Sequence, residues 1–249
     1  MIAFILFLNS LISNMRFIEF FGIPGSGKSY LTEFLKSNQS KLKKKYSFIF
    51  FRSKSYFSFF RKIGVLLIIF PLNLCSYSFY KLLNLFIFIY RPIKSKFISV
   101  RTIKLFLNSL YFISIIKIFK ILKKDSIVID QGFFQLLWSI LYEIDFCESS
   151  SHKYLLKKWD EILALLHLDY YILKCNVESE VLFQRIDERK GDSIIEEELR
   201  NRIYIKHEKI FQFIIDTFIE NAKNKKIYKI DFIDTTKIEL NKIIKFIDD

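Results

Sequence analysis

The chain has 249 residues, of which 51% are hydrophobic and 18% aromatic, and its formal net charge is +13. That length can bury a substantial core, and that apolar content excludes a disordered chain. The charge is uneven: from Phe34 to Lys124 there is no Asp or Glu against 19 Lys and Arg, while the remainder is net acidic. Phe, Ile, Lys and Asn are also the residues that AT-rich coding overproduces, so compositional drift is an alternative source of part of this balance. Cys75, Cys147 and Cys175 show no paired spacing, and His152, His167 and His207 are equally scattered. Neither a disulfide framework nor a zinc site is indicated, a reducing cytoplasm is expected, and the histidines receive no role.

Residues 1–14 are apolar but lack a basic leading region and a small-residue cleavage site. They read as an over-extended start, with the natural beginning at Met15, or as a short membrane anchor, rather than as a signal peptide. Arg16 to Phe21 is a short β-prone run, and after a glycine-rich loop Lys28 to Lys36 sets Leu31, Phe34 and Leu35 on one helical face. Tyr46 to Phe51 reads as a second strand, ending at Arg52.

Residues 53–125 form a hydrophobic, basic insertion of two to four helices broken near Pro71 and Pro92. Ile63 to Tyr80 carries no charge over eighteen residues, close to a bilayer-spanning length, but Pro71, Asn73, Ser76 and Ser78 weaken it. Buried helices covering a substrate pocket and contact with a membrane are both open readings.

Ser126 to Asp130 is a third strand, apolar enough to be central and parallel. Asp169 to Asn176 and Lys226 to Phe232 supply a fourth and a fifth. Helical patterns lie between and after them: Phe133 to Ile144, Ser151 to His167, Glu178 to Lys190, Ile194 to Asn221 and Lys237 to Ile247. The last opens on Thr236 and Glu239 in capping-box spacing. In Ser151 to His167 the stripe Leu155, Leu156, Trp159, Ile162, Leu163 and Leu166 marks the inward face. Alternating strand and helix predicts an α/β fold, with a parallel sheet covered on both faces. Residues 15–249 are expected to form a single domain bearing the insertion.

The sequence Gly22 to Ser29, G-I-P-G-S-G-K-S, matches G-x-x-x-x-G-K-[ST] and stands between an apolar strand and an amphipathic helix. Glycines let consecutive amides turn towards phosphates, and the helix N-terminus adds its dipole. Gly22, Pro24, Gly25, Ser26, Gly27, Lys28, Ser29 and Tyr30 form the candidate nucleotide site. Lys28 would reach the β and γ phosphates, and the Ser29 hydroxyl would ligate Mg²⁺. A glycine turn with a chance lysine is the plain alternative, which the agreement of strand, loop and helix opposes.

Asp130 ends the third strand and would emerge at the same sheet edge as the loop. It could sit in the Mg²⁺ shell or take the proton from an attacking hydroxyl; the plainer role is to cap the next helix. Gln131, Phe133, Phe134 and Gln135 could line an acceptor pocket. Arg185 and Arg189, at i and i+4 on one helix, supply the positive charge that phosphoryl transfer needs, unless they belong to a solvated face paired with Asp187, Glu188 or Glu180. Arg200 and Arg202 are weaker candidates. Arg52 could hold an anionic group of the acceptor. No N-K-x-D motif follows the loop, so ATP is favoured over GTP.

These segments resemble the small P-loop kinases, typified by nucleoside, thymidylate and related nucleotide kinases and including kinase-like proteins of bacterial surface-polysaccharide loci. F-I-E-F-F-G-I-P-G-S-G-K-S resembles their opening strand and loop, S-I-V-I-D-Q-G their third-strand acid, and C-N-V-E-S-E-V-L-F-Q-R-I-D-E-R their fourth strand and arginine-bearing helix. The resemblance implies a three-layer P-loop NTPase fold, a five-stranded sheet in the order 2-3-1-4-5, an ATP and Mg²⁺ site, and γ-phosphoryl transfer to a small acceptor. Gln131 stands where thymidylate and deoxynucleoside kinases usually have Arg, and the insertion is greasier than theirs. A carbohydrate or lipid-linked acceptor therefore stays open beside a nucleoside or nucleotide.

An ATP-dependent small-molecule kinase is the expected function. A membrane-associated P-loop ATPase, or a nucleotide-dependent regulator without an acceptor, is the competitor. Residues 34–124 suit an anionic membrane at least as well as nucleic acid, which ranks lowest among the partners. The expected location is the cytoplasm, or the inner face of the membrane.

Overall fold

The computed structural model describes residues 15–43, 45–50, 64, 77–90, 100–122, 126–143, 150–190, 197–225, 228–235 and 240–248. In chain order the elements are β1 (Met15–Phe21), α1 (Lys28–Ser37), β2 (Ser47–Ile49), α2 (Tyr77–Tyr90), α3 (Val100–Ile121), β3 (Ser126–Ile129) and α4 (Phe133–Glu143). They continue with α5 (Ser150–Ala164), β4 (Leu168–Asn176), α6 (Ser179–Lys190), α7 (Glu197–Lys225), β5 (Tyr228–Asp234) and α8 (Leu240–Asp248). The five strands form one all-parallel sheet in the order β2-β3-β1-β4-β5. Arg16 pairs with Ser126, Ser47 with Ile127, and Tyr170 with Tyr228. The chain thus has a three-layer α/β architecture with the expected sheet order 2-3-1-4-5.

By contacts the chain divides into two compact units. The unit of residues 16–51, 126–138 and 169–249 contains the sheet. Strand alternation sorts its apolar residues between two faces. On one face Ile18, Phe20, Val128, Tyr171 and Leu173 pack with Leu31 and Leu35 of α1 and Ile243 and Ile247 of α8. On the other, the Phe17 ring meets Phe133 and Tyr170, Phe21 meets Phe211 at 4.5 Å, and Phe134 meets Phe218 at 4.7 Å. This second layer is built from rings, and each fully buried Phe contributes roughly 2 kcal/mol by apolar burial. Short β2 is anchored through Tyr46, whose single hydroxyl proton is shared between the Ile247 carbonyl at 3.0 Å and the Asp248 carboxylate at 2.8 Å.

Apart from Met15 and Leu168, which begin β1 and β4, the regular structure described in the unit of residues 1–15, 52–125 and 139–168 is helical. The predicted α5 stripe is buried in full, from Leu155 to Leu166. Lys81 of α2 meets Glu161 of α5 at 2.8 Å, and Lys158 shares that carboxylate. In α3 the buried Ser109 and Ser114 hydroxyls return to the Leu105 and Leu110 carbonyls, so this greasy helix leaves neither hydroxyl unsatisfied. The Lys120 ammonium donates to the Leu166 and His167 carbonyls just beyond α5. Among the described residues no helix is long and apolar enough to cross a membrane.

Element boundaries shift by a few residues from the sequence reading. The second strand is only Ser47–Ile49 rather than Tyr46 to Phe51, and the fifth runs Tyr228–Asp234, two residues further along than Lys226 to Phe232. The long helix α7 extends to Lys225 rather than ending at Asn221. The Thr236 and Glu239 cap, Pro71, Pro92, Arg52, residues 1–14 and most of the charge-free run lie outside the described residues.

Candidate functional site

At the C-terminal end of β1 the chain must turn sharply into α1. Gly25 and Gly27 permit this with φ of 99° and 86°, conformations that cost a side-chain-bearing residue about 1–2 kcal/mol. Gly22 is required for space: a Cβ there would lie 2.9 Å from the Cys175 carbonyl oxygen and 2.6 Å from Ser26 Oγ. The loop is therefore seated directly on the end of β4. Burial holds the Cys175 thiol up at about 12, so it stays protonated and inert.

Helix α1 begins at Lys28 with no side-chain cap and no acidic residue in its first turn. Its leading end keeps its positive dipole character. The Lys28 ammonium donates to the loop's own carbonyls, Gly22 at 2.6 Å and Ile23 at 2.8 Å. It is buried within the loop, beside the place where phosphates would be cradled. The Ser26 hydroxyl is buried and has no hydrogen-bond partner among the described residues. Pro24 and Tyr30 face outward, Tyr30 stacking on Phe34.

Asp130 follows β3 immediately and is 1% exposed. Ser29 Oγ donates to Asp130 Oδ2 at 3.0 Å, so two hard oxygen donors from distant parts of the chain meet beside the loop. That donor set suits Mg²⁺, which takes one or two protein oxygens and completes its shell with phosphates and water. Among the described residues no cluster of three His, Cys, Asp or Glu offers a self-sufficient metal cage.

Arg185 of α6 is also brought to the loop. Its guanidinium donates to the Thr235 hydroxyl at 3.4 Å and carbonyl at 3.5 Å, and Nη1 lies 3.5 Å from where a Gly27 Cβ would stand. Thr235 is itself fixed by Asn176, through its amide at 3.0 Å and its hydroxyl at 3.1 Å. Gln131 is half-buried next to Asp130, whereas Arg202 is exposed on α7. The side chains of Arg189 and Arg200 lie outside the described residues.

Two features carried no recognised signal in sequence. Glu19 is an inward-facing carboxylate on β1, fully buried, and accepts hydrogen bonds from the amides of Gly132 at 3.0 Å, Phe134 at 3.1 Å and Gln135 at 2.9 Å. Burial raises its carboxyl to about 7, against the lowering pull of those amides. The helix-capping role considered for Asp130 is thus filled by Glu19. An acid in the otherwise apolar run F-I-E-F-F was the available clue. The other feature is the His207 ring, which packs on Trp138 at 4.9 Å; Trp138 stacks on Phe211 at 5.3 Å. Burial, with Lys206 and Lys28 adding, pushes this imidazole down to about 4, so it is neutral at physiological pH.

No family model matches the chain, and no curated protein does. Among solved structures it is similar to deoxyadenosine kinase from M. mycoides with bound dATP, at 12% identity, TM-score 0.45, over 93% of this chain and 97% of that one. The same enzyme with bound dCTP gives 13% identity and a TM-score of 0.41, over 93% and 96%. Thymidylate kinase from Ehrlichia chaffeensis gives 16% identity and a TM-score of 0.40, over 95% and 96%. At these values the likeness carries no residue role to this chain, and nothing in it speaks of polysaccharide loci.

Proposed function

We propose that this chain is an ATP-dependent small-molecule kinase. The observation that carries the reading is the meeting of Ser29 and Asp130 at 3.0 Å, beside Lys28 and at the mouth of the phosphate-binding loop. The residues fit Mg²⁺-ATP: Ser29 and Asp130 would hold the cation, and the loop from Gly22 to Ser29 the phosphates. The cation would supply charge neutralisation on the phosphate oxygens.

Lys28 exchanges its two loop carbonyls for phosphate oxygens and so adds charge where charge develops. Arg185, held by Thr235 against Gly27, adds a second cation with a fixed fork, and Arg189 is assigned to the same helix face. Asp130 serves as a metal-shell acid rather than a general base, because its carboxylate is already engaged with Ser29. Arg52 and Gln131 are assigned to the acceptor, which is a carbohydrate, a nucleoside or nucleotide, or a lipid-linked molecule. Such chemistry belongs in the cytoplasm.

The test uses ATP labelled in the γ-phosphate and a pooled set of those acceptors. Label in an organic product supports the kinase. Label recovered only as inorganic phosphate, across all acceptor classes, would replace it with an ATPase or nucleotide-dependent regulator.

A second reading concerns location. The acid-free, 19-fold basic stretch from Phe34 to Lys124 suits an anionic bilayer, and among its described residues Tyr80, Lys104, Leu107 and Leu122 are exposed. Co-sedimentation with phosphatidylserine vesicles, compared with neutral ones, tests it; equal recovery with both would remove it.

A further inference from the structure

We infer that Glu19 is a positioning residue for the magnesium site: it holds the turn after β3 so that Asp130 is aimed at Ser29. The inference rests on the kinase reading above. Asp130 lies on a short link between β3, which ends at Ile129, and α4, which begins at Phe133. β3 is held in the sheet by its register with β1, where Glu19 pairs with Ile129. The other end of the link is held by Glu19's own side chain. One carboxylate gathers the amides of Gly132, Phe134 and Gln135, the unsatisfied donors that every helix start presents. Backbone and side chain of a single residue therefore brace both ends of the segment that carries Asp130.

The fit is tight from the opposite side as well. A Cβ on Gly132 would overlap the Glu19 carboxylate, although the Gly132 backbone itself is not in a left-handed conformation. Gly132 is thus required by Glu19 rather than by the turn. A carboxylate is also the one side chain of this size that offers acceptors only. Glutamine would aim an amide NH₂ at backbone N–H groups and lose at least one bond. Partners that orient a metal ligand without touching the metal typically govern metal affinity by 10–100-fold.

The experiment measures the magnesium concentration at which a fluorescent ATP analogue is half bound, in wild type, Glu19→Gln and Gly132→Ala, with analogue affinity in EDTA measured alongside. Both variants are expected to need about tenfold more magnesium or higher, with metal-free affinity within about twofold of wild type. The double variant Glu19→Ala, Gly132→Ala should be no worse than Glu19→Ala alone, because the overlap is gone. A folded variant with an unchanged magnesium midpoint would overturn the inference, as would equal losses with and without metal, which mark a merely structural carboxylate. Where Glu19→Gln does not fold, Gly132→Ala carries the same test. Failure of the wild type to bind the analogue with magnesium would instead sink the kinase reading.

Discussion

Ser29 and Asp130 are 101 positions apart in the chain, yet the Ser29 hydroxyl donates to the Asp130 carboxylate at 3.0 Å. The contact joins the first residues of α1 to the end of β3 and defines where a divalent cation would sit. Replacing Asp130 by Asn keeps the shape but removes the charge that a hard cation requires. Phosphoryl transfer by Asp130→Asn is expected to fall about 100-fold or more, with a weaker fall for Ser29→Ala. Steady-state rates across a magnesium series check this, and the double variant should lose less than the sum of the two because both act on one ion.

Arg185 is held by Thr235 and lies against Gly27. Arg185→Ala is expected to lower kcat about 100-fold, the usual loss when one preorganised donor is removed from a transition state. Arg185→Lys should recover little, because an ammonium cannot match the fork that meets both the Thr235 hydroxyl and carbonyl. Single-turnover rates at saturating ATP separate this from weakened binding.

Stability should peak at mildly acidic pH. The Glu19 carboxyl is raised from 4.5 to about 7, so its protonated form is favoured in the folded state. That contribution is present below about 4.5 and lost as pH rises through about 7, an effect of up to about 3 kcal/mol. His207 has the opposite shift, from 6.5 down to about 4, so stability falls as pH drops through that window. Urea midpoints measured from pH 4 to 8 should rise and then fall. Glu19→Gln should flatten the upper limb and His207→Phe the lower.

Gly22→Ala should destabilise the fold by about 1–3 kcal/mol, because the added methyl meets the Cys175 carbonyl and the Ser26 hydroxyl. A melting temperature lowered by several degrees is the expected readout. Gly27→Ala should impair nucleotide binding more than stability, since φ of 86° positions the start of α1 and not the core.

Much of this arrangement was legible in the residues. The loop and Asp130 were identifiable because each sits at an element boundary that composition marks, a glycine run and the end of an apolar strand, and Arg185 because it shares a helical face with Arg189 four residues on. Sheet order followed from resemblance rather than periodicity, and the strand pairings agree with it. Glu19 was not legible, because its function depends on a backbone turn 113 positions away that no local pattern encodes. Thr235 was hidden for the same reason: it matters only because Asn176 and Arg185 converge on it. The second strand was overestimated because Tyr46, Phe48 and Phe50 all favour strands, while among the described residues sheet pairing extends only over Ser47–Ile49.

In the kinase reading the loop from Gly22 to Ser29 binds the phosphates of ATP through Lys28. The most direct measurement is equilibrium binding of Mg²⁺-ATP to wild type and Lys28→Ala, each shown to be folded by its melting curve. Tight binding by the wild type is expected, with an affinity loss of about 100-fold in the variant, where a buried cation that would meet phosphate is removed. Equal affinity in the two proteins would contradict it.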